Sequence, residues 1–248
     1  MTDIAPVLIT PIDLSGLPTA VFSADALRVE DIAGVLSHIG GSLPPLASSI
    51  PAIVSGGVQS APTGAIQDPA GSAIGAGVPP AMAGAGGASG ALYSHFARIG
   101  EPLAPIDPIP PCGSVFNRAD SRGRRVLHTH SPRLPYVRAA ADRLAAAPSA
   151  LGAIANAYAG AMEAFVSRAP ALGADGALLN LVPLSAGIYA GGFLDPRMRH
   201  LDPTYTLAAI MLALAERQAR GVVLPVTTLC IYDPAVKART DVVRVELG

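Results

Sequence analysis

Residues 180–193 read Asn-Leu-Val-Pro-Leu-Ser-Ala-Gly-Ile-Tyr-Ala-Gly-Gly-Phe, and this stretch decides the fold that we expect. Its apolar opening is typical of a buried strand, whereas residues 185–192 are too small and too rich in glycine to build a core. Glycine lets backbone N–H groups approach a ligand without interference from a Cβ atom, and loops of this kind at strand ends form concave anion sites. The stretch therefore predicts a strand followed by an anion-binding loop. A merely flexible connection is the alternative.

A second segment of the same kind lies in the N-terminal half, where Gly75-Ala76-Gly77-Val78 is followed by Pro79. Proline suits the first turn of a helix, and a helix N-terminus favours negative charge. In a parallel sheet both loops would lie at the carboxyl edge, where α/β proteins bind their ligands. Two such loops in one chain strengthen the prediction of an anion site over that of two flexible connections.

The C-terminal half alternates between strands and helices. We expect strands at residues 126–129, 176–182 and 222–232 and helices at residues 137–147, 151–168 and 204–220, with Pro148 separating the first two helices. In the N-terminal half we expect short strands at residues 19–23 and 52–54 with a helix at residues 29–39 between them. Residues 56–90 are mostly glycine, alanine, proline and serine, and predict a long functional or mobile loop. This order of elements favours the α/β class, with a largely parallel sheet and helices on both faces.

Composition excludes several classes of protein. The net charge is -1 and only 14% of the residues are charged, which argues against a partner bound mainly by bulk electrostatics, such as duplex DNA or an anionic membrane surface. The N-terminus lacks a signal-peptide pattern, and the longest apolar run, residues 207–215, is too short to span a bilayer. We therefore expect a soluble, cytoplasmic protein, with export by another route left open. Cys112 and Cys230 form no metal or disulfide framework, and we expect neither a metal nor a cofactor.

Five segments resemble motifs of the macro domain family, in the same order along the chain. They are Val21-Phe22-Ser23-Ala24-Asp25-Ala26, similar to a strand followed by Gly-Asp-Ile; Ala52-Ile53-Val54-Ser55-Gly56-Gly57-Val58, similar to Ala-Ile-Val-Asn-Ala-Ala-Asn; Gly75 to Val78, similar to Gly-Gly-Gly-Val; Val126-Leu127-His128-Thr129, similar to Val-Ile-His-Thr; and residues 182–190, similar to the second phosphate loop with its Ser-Thr-Gly-Ile-Phe/Tyr-Gly pattern. The resemblance covers about residues 19–232. It implies one macro-like domain over residues 1–248, a three-layer α/β/α sandwich with a mixed, mostly parallel central sheet and insertions in the N-terminal half.

Macro domains bind ADP-ribose, and some of them hydrolyse its bond to a modified protein. The resemblance implies that Asp25 accepts a hydrogen bond from the adenine amino group and that Tyr232 packs against adenine. It also implies that Tyr189 packs on the distal ribose and that backbone N–H groups hold the two phosphates. Those groups belong to Gly75, Gly77 and Val78 in the first loop and to Ser185, Ala186, Gly187, Ile188 and Tyr189 in the second.

The chain departs from the hydrolytic members of the family at the two asparagines of Asn-Ala-Ala-Asn, where it has Ser55 and Val58. Cleavage of a glycosidic bond needs a carboxylate or a polarised water near the anomeric carbon. Asp195 and Asp202 follow the second loop and are the candidate catalytic acids, although each also fits an ordinary turn or helix N-cap. Asp68 and Asp233 are further acids that could take this role. We therefore expect binding of ADP-ribose or an ADP-ribosylated protein and hydrolysis of the ADP-ribosyl linkage. The alternative is a non-catalytic ADP-ribose-binding or interaction module, and the oligomeric state stays open.

His128 and His130 would project from one face of their strand, which is also the geometry of a two-histidine metal clamp. No third ligand is evident near them in the sequence. We therefore expect these histidines to pack and form hydrogen bonds.

Overall fold

The structure, a computed structural model, describes residues 7, 9–23, 28–39, 51–61, 63–71, 84–119, 125–168 and 178–247. Its strands are β1 (Phe22–Ser23), β2 (Arg28–Val29), β3 (Ala52–Ser55), β4 (Ala65–Ala70), β5 (Ser114–Ala119), β6 (Arg125–His130), β7 (Leu178–Leu181), β8 (Leu194–Asp195), β9 (His200–Leu201) and β10 (Val226–Ile231). Its α-helices are α1 (Ile32–His38), α2 (Gly87–Arg98), α3 (Ala140–Arg168), α4 (Pro203–Ala219) and α5 (Pro234–Leu247). Short 3-10 turns cover Thr19–Val21, Val58–Ser60 and Ile188–Phe193.

A six-stranded sheet forms the centre of the molecule, with the strand order β3-β10-β7-β4-β6-β5. The first five strands in this order are parallel to one another, and β5 pairs antiparallel with β6 at one edge. The pairs β1-β2 and β8-β9 are separate antiparallel ribbons. The mixed, mostly parallel sheet expected from the sequence is therefore confirmed.

Helices cover the sheet and complete the three-layer α/β/α sandwich. Helix α3 packs on β5 and β6 and against α4, while α2 packs on β4 and α5 on β3 and β10. The inner strands β4, β6 and β7 are largely buried because both of their faces are covered, as in parallel sheets generally. None of the helices that the structure describes is long and apolar enough to cross a membrane.

The strand β4 lies inside the segment 56–90 that the sequence predicts to be a loop, so that prediction is wrong for residues 65–70 and 87–90. Gln67, Asp68 and Pro69 favour a loop by type, yet they occupy an internal strand. Gln67 Nε2 donates to Thr129 Oγ1 at 3.3 Å, and Gln67 Oε1 accepts from the backbone N–H of Val182 at 3.1 Å. Ala65 and Ile66 are the part of β4 that pairs with β7, and Pro69 lies beyond them. The missing N–H of a proline costs less at that position than within the pairing.

Helix α3 corrects a second prediction, because Ala140–Arg168 is one helix with Pro148 inside it, where the sequence predicts two helices at residues 137–147 and 151–168. A proline inside a helix removes one backbone hydrogen bond and costs about 3 kcal/mol. Pro148 is buried, and so are Ala147, Ala150 and Leu151 on either side of it. Burial of this apolar face against β5, β6 and α4 offsets the cost of the proline.

The other expected elements are present with shifted bounds. The strand expected at residues 19–23 is wrong for Thr19–Val21, which form a 3-10 turn before β1, and the helix expected at residues 29–39 is α1, which begins at Ile32 after β2. The strands expected at residues 126–129 and 222–232 are β6 and β10, and the strand expected at residues 52–54 is β3. The helix expected at residues 204–220 is α4, with Asp202 as its N-cap and Pro203 in its first turn. Other elements have no counterpart among the predicted ones, namely α2, β2, β5, β8, β9 and α5. The strand predicted at residues 176–182 begins outside the described residues.

Candidate functional site

A cavity of about 650 Å³ opens at the carboxyl edge of the sheet. It lies where five parallel strands end, since Gly57 follows β3, Gly71 follows β4, Ser131 follows β6, Val182 follows β7 and Tyr232 follows β10. The described residues that line it are Gly57, Val58, Gln59, Pro69, Gly71, Gly84, Ala85, Gly86, Gly87, Ala88, Ser89, Ala91, Ser131, Val182, Pro183, Ser185, Ala186, Gly187, Ile188, Tyr189, His200, Cys230, Ile231, Tyr232 and Asp233. This edge is where parallel α/β sheets hold their ligands.

The loop 185–189 follows β7 and forms one wall of the cavity. Its start is fixed from below by Tyr158 of α3, whose hydroxyl donates to Val182 O at 2.8 Å and accepts from the N–H of Leu184 at 3.0 Å. Ser185 has a φ of 53°, and its N–H donates to Ser131 Oγ at 2.9 Å. These contacts hold the start of the loop against α3 and the end of β6.

Two backbone N–H groups of this loop are available to a ligand. Among the described residues, the N–H groups of Ala186 and Gly187 have no hydrogen-bond partner, although Ala186 O accepts from Leu201 N. A Cβ atom placed on Gly187 would meet none of the described residues within 4 Å. Both residues line the cavity, which places two backbone donors on its wall.

The start of helix α2 forms the opposite wall, through Gly84, Ala85, Gly86, Gly87, Ala88 and Ser89. The first N–H groups of a helix have no partner within the helix and carry its partial positive charge. Gly84 and Gly87 have φ values of 64° and 58°, a conformation that favours glycine. Ser89 Oγ donates to Pro69 O at 3.1 Å and holds this first turn against the end of β4.

The sequence analysis placed its first anion loop earlier, at Gly75, Gly77 and Val78, which lie outside the described residues, as does Asp25. It missed the glycine run at residues 84–87. The signal that could have found this run is its position immediately before an alanine-rich segment with helical periodicity.

Two aromatic residues line the cavity beside different strands, and we call these places its Tyr232 end and its Tyr189 end. Tyr232 follows β10 and is 81% exposed. Tyr189 lies against the end of β4, because a Cβ atom on Gly71 would come within 2.4 Å of the Tyr189 hydroxyl oxygen. The guanidinium of Arg133 lies 5.3 Å from the centre of the Tyr189 ring. Since β7 separates β10 from β4, the two ends are about 10 Å apart across the sheet.

His200 and Asp233 are the ionisable side chains, apart from Cys230 and the two tyrosines, among the described residues lining the cavity. Burial lowers the pKa of His200, while a hydrogen bond with Leu201 O and the charge of Asp233 act in the opposite direction. Asp233 is exposed and caps α5, where its Oδ1 accepts from the N–H groups of Ala235 at 2.8 Å and Val236 at 3.2 Å. The sequence analysis did not consider His200, since a lone histidine between Arg199 and Leu201 gives no signal.

The two candidate catalytic acids do not line the described part of the cavity. Asp202 is buried, and its Oδ1 accepts from Thr204 N at 2.8 Å as the N-cap of α4. Burial raises the pKa of Asp202, and the hydrogen bonds from Thr204 oppose this shift. Asp195 Oδ1 accepts from Arg197 N at 2.8 Å in a turn. Asp202 therefore forms the helix N-cap and Asp195 the turn that the sequence gives as the alternative to catalysis. A catalytic role for either acid stays a prediction.

Asp68 and His128 are fully buried beneath the cavity edge and are bound to each other. Asp68 Oδ2 lies 2.6 Å from His128 Nδ1 and also accepts from the Tyr93 hydroxyl of α2. His128 Nε2 lies 3.0 Å from Asn117 Nδ2. Burial, followed by the charge of Asp68, raises the pKa of Tyr93. His128 therefore packs and forms hydrogen bonds, as expected.

No group of three or more His, Cys, Asp or Glu side chains that could hold a metal ion occurs within the described ranges.

Ser55 is the last residue of β3, which is an edge strand of the sheet, and its side chain is exposed. Val58 is buried at the start of the turn that follows β3.

No protein-family model matches the sequence, and no curated protein matches it significantly. Solved structures do match. The structure described as alphavirus P23pro-zbd has a TM-score of 0.50 with 18% sequence identity, and the match covers 79% of this chain and 24% of the alphavirus chain, so this chain spans only about a quarter of that protein.

Two macrodomains match with slightly lower scores. A mutant macrodomain of Oceanobacillus iheyensis with ADPR has a TM-score of 0.48 and 13% identity, over 79% of this chain and 91% of its own length. A Trypanosoma brucei macrodomain in complex with ADP has a TM-score of 0.49 and 14% identity, over 100% of this chain and 93% of its own length. The three-layer α/β/α fold with a mixed, mostly parallel sheet, which the sequence predicts, is that of the strand order and helix packing described above, and at these identities the likeness concerns the fold alone.

Proposed function

We propose that this chain binds ADP-ribose in the cavity at the carboxyl edge of its sheet. The observation that carries this proposal is the placement of two backbone walls between two aromatic side chains. The unpartnered N–H groups of Ala186 and Gly187 lie on one wall and the first turn of α2 on the other, with Tyr232 and Tyr189 at the two ends. ADP-ribose has the same order of parts, because its diphosphate lies between an adenosine and a second ribose.

The electrostatics of the cavity fit a ligand that is held by backbone dipoles. No lysine or arginine occurs among the described lining residues. A diphosphate would therefore be stabilised by N–H groups of the 185–189 loop and by the start of α2, which is the usual way in which helix N-termini hold phosphate. The volume of about 650 Å³ is within the range of small-molecule sites.

The proposal gives a role to each predicted binding residue that the structure describes. Backbone groups of Ser185, Ala186, Gly187 and Ile188 would surround one phosphate, Tyr189 would pack on the distal ribose and Tyr232 would pack on adenine. Stacking of a base on an aromatic ring is worth about 1–3 kcal/mol in other proteins. Roles for Asp25, Gly75, Gly77 and Val78 remain predictions from the sequence.

Hydrolysis of an ADP-ribosyl linkage, the finer hypothesis from the sequence, is less well supported by the geometry. Cleavage needs a carboxylate or a polarised water at the distal ribose. Among the described lining residues the one carboxylate is Asp233, which follows β10 at the Tyr232 end. Binding without hydrolysis is therefore the function that the described site supports best, and an ADP-ribosylated protein is the proposed partner.

Isothermal titration calorimetry with ADP-ribose tests the proposal, with AMP and ribose 5-phosphate as controls. We expect micromolar or tighter binding of ADP-ribose and weaker binding of either half. Absence of heat and of any thermal shift at millimolar ADP-ribose would refute it and favour an interaction module that keeps the fold alone. Incubation with proteins ADP-ribosylated on arginine or glutamate tests hydrolysis, and release of ADP-ribose would reverse the order of the two hypotheses.

A further inference from the structure

His200 lies on the short strand β9, directly beside the anion-binding loop. The next residue, Leu201, donates its N–H to Ala186 O at 2.9 Å, which fixes β9 against the loop. His200 lines the cavity together with Tyr232 and Asp233 and is partly buried. Asp233, which follows Tyr232, is close enough for its charge to act on the His200 ring.

The hydrogen-bond partner of His200 determines which ring nitrogen is free. Nδ1 lies 2.9 Å from Leu201 O. A carbonyl oxygen only accepts, so Nδ1 carries the hydrogen. Burial lowers the pKa of the ring and favours its neutral form. A neutral ring with hydrogen on Nδ1 has a lone pair on Nε2, and within the described part of the chain Nε2 has no hydrogen-bond partner.

We propose that His200 selects the base of the bound nucleotide by accepting a hydrogen bond at Nε2 from an exocyclic amino group, so that adenine is preferred over 6-oxopurines. This inference rests on the proposed function. Adenine carries an amino donor at C6, whereas hypoxanthine carries a carbonyl acceptor there. The carbonyl oxygen of hypoxanthine and His200 Nε2 are both acceptors, so neither would have a hydrogen-bond partner in a partly buried site. This disfavours the 6-oxo base.

Titration with ADP-ribose, inosine diphosphate ribose and the base-free ribose 5-diphosphate tests the inference. For the unaltered protein we expect ADP-ribose to bind about tenfold or more tightly than its inosine analogue, as expected for one hydrogen bond made or left unsatisfied. In His200→Ala the preference should fall by about tenfold, and any preference that remains is that of Asp25, which the resemblance implies accepts from the same amino group. In His200→Gln, whose amide presents either a donor or an acceptor, the preference should fall in the same way while affinity for both is kept. Binding of the base-free ligand should not change.

Asp233→Asn is the matched control, because Asp233 is the other acceptor at this end and asparagine also caps helices well. It should keep the preference for adenine. Equal binding of both nucleotides by the unaltered protein, or loss of the preference in Asp233→Asn but not in the His200 variants, would overturn the inference and leave the proposed function standing. Failure of the unaltered protein to bind ADP-ribose would instead refute the proposed function, and the inference with it.

Discussion

Gly187 offers the sharpest test of the anion site, because a charge can be added there without removing any contact. Within the described part of the chain, a Cβ atom at this position meets nothing within 4 Å, and the residue lines the cavity beside the N–H groups of Ala186 and Gly187. Gly187→Asp would place a carboxylate near the proposed phosphate. Gly187→Asn has the same size and the same backbone cost without the charge, and therefore serves as the reference.

The expected penalty follows from Coulomb's law. Two unit charges about 5 Å apart at an effective dielectric constant of about 20 repel by about 3 kcal/mol, which corresponds to about a hundredfold loss of affinity. Salt should reduce this difference, because the screening length falls from about 10 Å at 0.1 M to about 3 Å at 1 M ionic strength.

The measurement is the Kd for ADP-ribose of both variants by calorimetry at low and high salt, with thermal unfolding of the free proteins as the check on folding. We expect similar Tm values and a much weaker, salt-sensitive affinity in Gly187→Asp alone. Equal affinities of the two variants, with both near that of the unaltered protein, would mean that no phosphate lies at this loop.

Three further predictions concern contacts around the cavity. Gly71→Ala should displace the Tyr189 ring and weaken ADP-ribose binding, since the added Cβ would collide with the Tyr189 hydroxyl. Tyr189→Phe in the same chain should restore most of the affinity. An unchanged Kd in Gly71→Ala would contradict a contact between Tyr189 and the ligand. Tyr158→Phe removes both hydrogen bonds of a fully buried hydroxyl and should lower the free energy of unfolding by about 1–3 kcal/mol in urea titrations. Burial raises the pKa of Asp202, so folding favours its protonated form. Relative to Asp202→Asn, the unaltered protein should therefore lose free energy of unfolding as the pH rises through that raised pKa. If the free energies of unfolding of the two proteins run parallel from about pH 4 to pH 7, the shift is absent.

The sequence predicts those parts of the fold whose pattern is local. The strands β6 and β10 and the helix α4 follow from apolar runs and helical periodicity, and the loop 185–189 follows from small residues after an apolar strand. The α/β class then follows from their alternation, because parallel strands need crossover helices.

The strand β4 was not predictable in the same way, because its stability depends on partners far away in the chain. Gln67 and Asp68 are polar, and their partners Thr129 and His128 lie about sixty residues later. A buried amide or carboxylate without a hydrogen-bond partner would be too costly in a core. The local sequence does not show that Gln67 and Asp68 will find such partners, and it therefore argues against a buried strand.

The candidate site was predictable on one side only. The 185–189 loop and Tyr232 line the cavity because each directly follows a strand that the apolar pattern reveals. His200 and the glycine run before α2 reach the cavity through the ribbon β8-β9 and through the position of a helix start, which depend on tertiary packing. Asp195 and Asp202 are near the loop in sequence, but their carboxylates accept from the N–H groups of a turn and of a helix start.

A crystal structure of the protein with ADP-ribose would show where the diphosphate and the base lie. We expect phosphate oxygens about 3 Å from the backbone N–H groups of Ala186 and Gly187 and from the first turn of α2, with adenine against Tyr232. Density for the diphosphate away from both backbone walls, or adenine at the Tyr189 end, would contradict this expectation.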